Sequence, residues 1–179
     1  MDIRPEWTDE LDVKVLLEVL TAVKKGDFSA RMPAHWSGPA GKIADTLNDI
    51  IETNDKLAGE VEEVARAVGR EGRLNQRASS AGTGGGWSDI VKSVNTLIDD
   101  LVHPTTELAR VVSGVAKGDL SQRVGTEVDG RPLMGQFLTA ATAANTMVDQ
   151  LSAFTSEAAR LAHEVGNEGR LGGAAHVPG

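Results

Sequence analysis

Val115-Ala116-Lys117-Gly118-Asp119-Leu120-Ser121-Gln122 ends an apolar, helically spaced run on a charged residue and a glycine. The same ending recurs at Lys25-Gly26-Asp27-Phe28, Glu71-Gly72-Arg73-Leu74 and Glu168-Gly169-Arg170-Leu171, with the glycines 46, 46 and 51 residues apart. Glycine takes the left-handed conformation that closes a helix without steric cost, so Gly26, Gly72, Gly118 and Gly169 read as helix stops. A second landmark, Leu47-Asn48, Val94-Asn95 and Ala144-Asn145, falls between them. Such self-similarity marks a repeat architecture. Each unit is a helix, a glycine stop, a connector of about fifteen residues and a second helix. An extension at 1–10 precedes unit one at 11–57, unit two at 58–102 and unit three at 103–151. Residues 152–179 supply the first helix and part of the connector of a fourth unit.

The apolar stripe runs on from one unit into the next. Ile43, Leu47, Ile50, Asn54, Leu57, Val61, Val64 and Val68 follow alternating four- and three-residue steps. So do Ile90, Val94, Leu97, Leu101, Pro104, Leu108, Val111 and Val115, and, more weakly, Phe137, Ala140, Ala144, Met147, Leu151, Phe154, Ala158, Leu161 and Val165. That spacing is the seam of a left-handed coiled coil. A stripe so narrow needs a partner helix to cover it. Inter-unit helices of about 28 residues would be ~42 Å long at ~1.5 Å per residue, stiff enough to pass a rotation or shift along. Pro104 is expected to open a new helix at its first turn, the alternative being a kink. Alanines 140, 141, 143 and 144 predict the loosest packing in unit three. Asn54 is either a buried register-fixing residue or a solvent-facing one. Asn48, Asn95 and Asn145, one position past the seam, suit a structural hydrogen bond.

The connectors, dense in Gly, Pro, Ser and Ala at 33–41, 78–86 and 125–135, show no strand pattern. They nevertheless carry apolar residues at fixed offsets: Phe28 and Met32, Leu74, Leu120 and Val124, and Leu171. A connector pinned along the helices by these anchors lets the second helix point the same way as the first. Two such chains make a parallel four-helix bundle.

Helix, Gly-Asp-Leu/Phe-Ser, a doubly anchored connector and a second helix such as Asn145-Thr146-Met147-Val148-Asp149-Gln150-Leu151 resemble the HAMP domain. They look like the concatenated HAMP repeats of soluble hybrid histidine kinases, with Glu168-Gly169-Arg170-Leu171-Gly172-Gly173 fitting the alternating second type of such arrays. The resemblance covers the chain from about Leu11. Gly41, Gly86 and Gly135 keep the family's glycine before the second helix, while Trp87 and Gln136 stand where an acidic residue is usual. It implies an all-α tandem array of stacked parallel four-helix bundles in a cytoplasmic homodimer. The array would relay conformational change to a downstream histidine kinase in a longer parent chain, of which this would be the amino-terminal part.

Composition sharpens this by exclusion. The chain has 179 residues and no Cys, which rules out thiolate metal sites, disulfides and cysteine nucleophiles. A net charge of -8 argues against nucleic acid as partner. No apolar run approaches a membrane span, and Met1-Asp2-Ile3-Arg4-Pro5-Glu6 opens an acidic start unlike a signal peptide. His35, His103, His163 and His176 are too scattered for a metal. His163-Glu164 lacks the continuation of a phosphoacceptor box, and Gly82-Thr83-Gly84-Gly85-Gly86 lacks the ending of a phosphate loop. Trp36 and Trp87 read as caps on the bundle. No cofactor and no catalytic site are expected. The competing function is a passive dimerisation or spacer rod. The alternation of Lys-Gly-Asp and Glu-Gly-Arg stops suggests that neighbouring bundles prefer different packings.

Overall fold

The computed structural model describes residues 11–168 other than Ala81, Thr83 and Asp129, with side chains through Val165. Among the described residues, four helices hold nearly all the regular structure: α1 Val13–Lys24, α2 Gly38–Gly69, α3 Gly86–Ala116 and α4 Gly135–Glu168. The fold is all-α. Asp12 caps α1, its carboxylate accepting the N–H groups of Lys14 at 2.9 Å and Val15 at 3.3 Å, and Pro39 stands in the first turn of α2, where its missing N–H costs nothing. The chain divides into two compact units, residues 1–97 and 98–179, with the boundary inside α3.

Gly26, Gly72 and Gly118 have φ of +86°, +68° and +83°. After α1, the Asp27 N–H reaches back to the Ala22 carbonyl and Gly26 to Val23; after α3, Asp119 reaches Gly114 and Gly118 reaches Val115. These bonds satisfy carbonyls that the helix end would otherwise leave open. Gly169 lies outside the described residues, as do Leu171, His176 and the rest of the fourth connector.

In the first unit, Val19 of α1, Met32 of the connector, and Ala44 and Ile51 of α2 form a buried cluster, flanked by Leu16, Val23, Phe28 and Leu47. In the second compact unit, at 98–179, Val111 of α3, Val124 of the connector, and Ala141, Ala144 and Val148 of α4 do the same, flanked by Leu108, Val115 and Leu120. The seam expected from the sequence is only part of this core. Val64, Val111 and Ala144 are buried, and Leu47, Leu57, Val61, Val68, Val94, Leu108, Val115 and Leu161 are half-buried. Ile43, Ile50, Ile90, Leu97, Leu101, Met147 and Leu151 are exposed in the single chain. Their next neighbours Ala44, Ile51, Val91 and Val148 are buried instead. One residue is about 100° around a helix, so each helix has two adjoining apolar lines, one against its own chain and one open. The stripe is wider than the coiled-coil spacing alone indicated.

Two further expectations change. Pro104 does not begin a helix; it is buried inside α3. It removes one N–H from the ladder. Beside it, the Thr105 hydroxyl donates to the Leu101 and Val102 carbonyls, both at 2.9 Å. Connector three also contains strand, the antiparallel pair β1 Glu127–Val128 and β2 Arg131–Pro132, with Val128 opposite Arg131. Gly130, between the two strands, has φ +73°, the left-handed conformation that tight hairpins favour. Arg131 pins the hairpin to Asp100 of α3 at 3.0 Å.

Candidate functional site

The glycine stop turns the chain by close packing of backbone, and the connector must then run beside two helices with its own N–H and C=O groups partly out of water. Buried backbone groups without partners are costly, so something must hold them. One side chain does so in each repeat. Asn48 Oδ1 accepts the Met32 N–H at 2.8 Å while its Nδ2 donates to the Met32 carbonyl at 3.2 Å. Asn95 holds Ala78 in the same way, at 2.9 and 2.9 Å. Asn145 holds Val124 at 2.8 and 3.0 Å. Asparagine suits the task because its amide carries a donor and an acceptor side by side, matching a peptide edge.

The clamped residue always lies six positions after the stop glycine. Met32 and Val124 were expected there as anchors, and both are buried. Phe28 and Leu120 are half-buried and pack against the two clusters. Leu74, the expected anchor of repeat two, is instead 39% exposed. The buried connector residue of that repeat is Ala78. Its methyl group gives little apolar signal, so hydrophobicity misses it, yet the six-residue offset from Gly72 points to it.

A second recurrent tie was not visible beforehand. Arg31, Arg77 and Arg123 stand five residues after their glycines. The Arg31 guanidinium donates to the Phe28 and Ala30 carbonyls, Arg77 to Leu74 and Gln76, and Arg123 to Leu120 and Gln122. Each arginine thus braces its own connector turn with its fork of donors. Arg123 also bonds Asp149, one helical turn beyond Asn145, at 2.6 Å.

The turns themselves come in two kinds. Asp27 Oδ1 accepts both the backbone N–H of Ser29 at 3.0 Å and its hydroxyl at 2.6 Å. Asp119 does the same with Ser121, and its other oxygen accepts Gln122 Nε2 at 2.5 Å. The Ser121 hydroxyl, the Gln122 amide and the Ser121 backbone N–H hold the Asp119 carboxyl down at about 2; the Ser29 hydroxyl likewise lowers Asp27. Repeat two has Arg73 at this position. There Arg66 bridges Glu63 at 2.6 Å and Glu71, while Arg73 pairs with Glu71 at 2.8 Å.

Asn54 is half-buried and donates to the carbonyl of Ile50 in its own helix, at 2.7 Å. Trp36 is half-buried and packs against the first cluster. Trp87 is half-buried, and His35, His103 and His163 are exposed. No group of three or more potential metal ligands occurs among the described residues. No described helix is long and apolar enough to cross a membrane. The arrangement is mechanical: it fastens one strand of chain to two helices.

Residues 83–153 match the HAMP domain family. This stretch is therefore a HAMP domain, a non-catalytic signalling domain of a class that relays signals in sensor proteins. No solved structure matches the chain.

Proposed function

We propose that the chain is an intracellular relay that carries a change of helix arrangement through successive HAMP units to a downstream histidine kinase. The observation that carries this reading is the clamp repeated at Asn48, Asn95 and Asn145, because it makes the connector move with the second helix of each unit. The apolar anchors Phe28, Met32, Leu120 and Val124 then meet the first helix, so a displacement of that helix is felt by the second. The relay reading takes its units at 11–57, 58–102 and 103–151, with a fourth begun at 152–179.

The working form is a parallel homodimer of stacked four-helix bundles. The open apolar line through Ile43, Ile50, Ile90, Leu97, Leu101, Met147 and Leu151 supports this, since a second copy presents the same line and covers it. Two packings separated by a few kcal/mol would give the relay its states.

The test uses the absence of cysteine. A single Gln150→Cys places one spin label per chain, and the label-to-label distance across the dimer reports the helix arrangement in unit three. Phe28→Ala in unit one should shift that distance. An unchanged distance with only a lowered melting temperature would favour the passive spacer, and the absence of any label pair would overturn the dimer.

A further inference from the structure

The three connectors are fastened alike to their second helices and differently to their first. In repeat two, Glu60 of α2 accepts the Ser79 N–H at 2.9 Å, opposite the Asn95 clamp on Ala78. In repeat three, Arg110 of α3 donates to the Arg123 carbonyl at 3.2 Å and to the Gln122 side chain, opposite Asn145 and Asp149. Glu107 holds that arginine in place at 2.8 Å. Both connectors are thus tied from two sides by polar groups.

Among the described residues, repeat one shows no second polar tie from its first helix. The α1 side-chain hydrogen bond is that of Thr21 to the Leu17 carbonyl within the helix, and among the described residues no α1 side chain bonds the connector. Chemistry at the equivalent positions explains why. Counted from the stop glycine, Lys14 stands where Glu60 does and Pro33, which has no N–H, stands where Ser79 does. Glu18 stands where Arg110 does, and a carboxylate has no proton to give a carbonyl. What remains between α1 and the connector is apolar: Leu16, Val19 and Val23 against Phe28 and Met32. Dispersion and burial are non-directional, so such a surface holds the helix close without fixing its rotation.

We propose that α1 is the movable element of the chain, free to turn against its connector, whereas repeats two and three are locked so that both helices and the connector move together. A stimulus acting on α1 then meets little resistance locally and is passed on by units that do not absorb it. This deepens the relay reading, and rests on it for the direction of signal. Its test reads only fastening within one repeat, so either can fail without the other.

Spin labels at Lys14→Cys and Ala34→Cys report α1 against connector one, and labels at Glu62→Cys and Ser80→Cys report repeat two, each in the full chain diluted with unlabelled chain. The repeat-one distance distribution should be about twice as wide. Glu60→Ala should widen the repeat-two distribution to match it, and Glu60→Gln, which keeps an acceptor oxygen, should not. Glu18→Arg should narrow repeat one. The Ser79 amide should exchange on the order of tenfold faster in Glu60→Ala, the weight of one hydrogen bond to a charged group, while Ala78, held by Asn95, stays slow. Equal widths in the unaltered chain overturn the proposal. So does an unchanged repeat-two width in Glu60→Ala, or acceleration of Ser79 and Ala78 together.

Discussion

Repeat two and repeat three reach the same clamp by different turns. After α3 the chain closes in two residues, and Asp119 then folds the next turn around Ser121. After α2 the helix stops at Gly69, the Glu71 N–H still reaches Arg66, and Arg73 reaches back to Ala67 at 2.9 Å. The wider stop places Arg73 beside Glu71 and Glu63 at the point where repeats one and three have their aspartates. A helix end offers carbonyls that favour cations nearby, which suits Arg73 and opposes Asp27 and Asp119, so the aspartate turns rest on the donors around them. One turn is held by hydrogen bonds from a carboxylate and the other by exposed ion pairs. What must be conserved through both is the position of the sixth residue after glycine.

The comparison holds only if the clamp matters equally in both. Asn145→Ala and Asn95→Ala each leave a partly buried N–H and C=O without their partner, and each should cost about 2–4 kcal/mol in denaturant titration. A cheap Asn95→Ala beside a costly Asn145→Ala would break it, because the ion pairs of repeat two would then be holding the connector alone. Next in size are the stops. Gly118→Ala and Gly72→Ala meet nothing within 4 Å, so the cost is that of a positive φ alone, about 1–2 kcal/mol in either repeat. Gly69→Ala, at the end of α2 and without a positive φ, should instead gain about 0.5 kcal/mol.

Smaller effects sharpen the difference. Glu71→Gln should cost less than about 1 kcal/mol, and that cost should fall further as salt is raised, since the pairs are exposed. The smallest effect separates the two kinds of turn by acid. The Asp119 carboxyl is depressed to about 2, so its contribution is complete above about pH 4 and is lost as pH falls toward 2. The Ser121 amide resonance should move through that window, Ser29 should move with it, and Asp119→Asn should abolish the Ser121 change.

Much of this was legible in the residues. Four glycines at near-constant intervals after apolar runs declare the repeat, because only a helix end makes that combination useful. Continuity of the helices followed from unbroken spacing, except at Pro104, where a new helix was expected and α3 instead runs on, a neighbouring threonine hydroxyl taking up nearby carbonyls. Ala78 escaped because burial was inferred from side-chain size, whereas the clamp acts on its backbone. The exposed line beside the buried one escaped because the spacing of Ile43, Leu47 and Ile50 describes one face. Ala44 and Ile51, a hundred degrees around, fall outside that spacing. The hairpin at 127–132 was missed although Asp129-Gly130 signals it, since a two-residue strand leaves no alternation to count.

A side chain that grips only peptide groups asks of the residue it grips an N–H and a C=O, which every residue but proline supplies. Met32, Ala78 and Val124 differ in size by three carbon or sulfur atoms, yet the amides of Asn48, Asn95 and Asn145 hold them at nearly the same distances. The connector can therefore be rewritten, residue by residue, without losing its alignment to the helix. In a repeated protein this is a licence for divergence: each copy can be tuned separately while every copy stays in register.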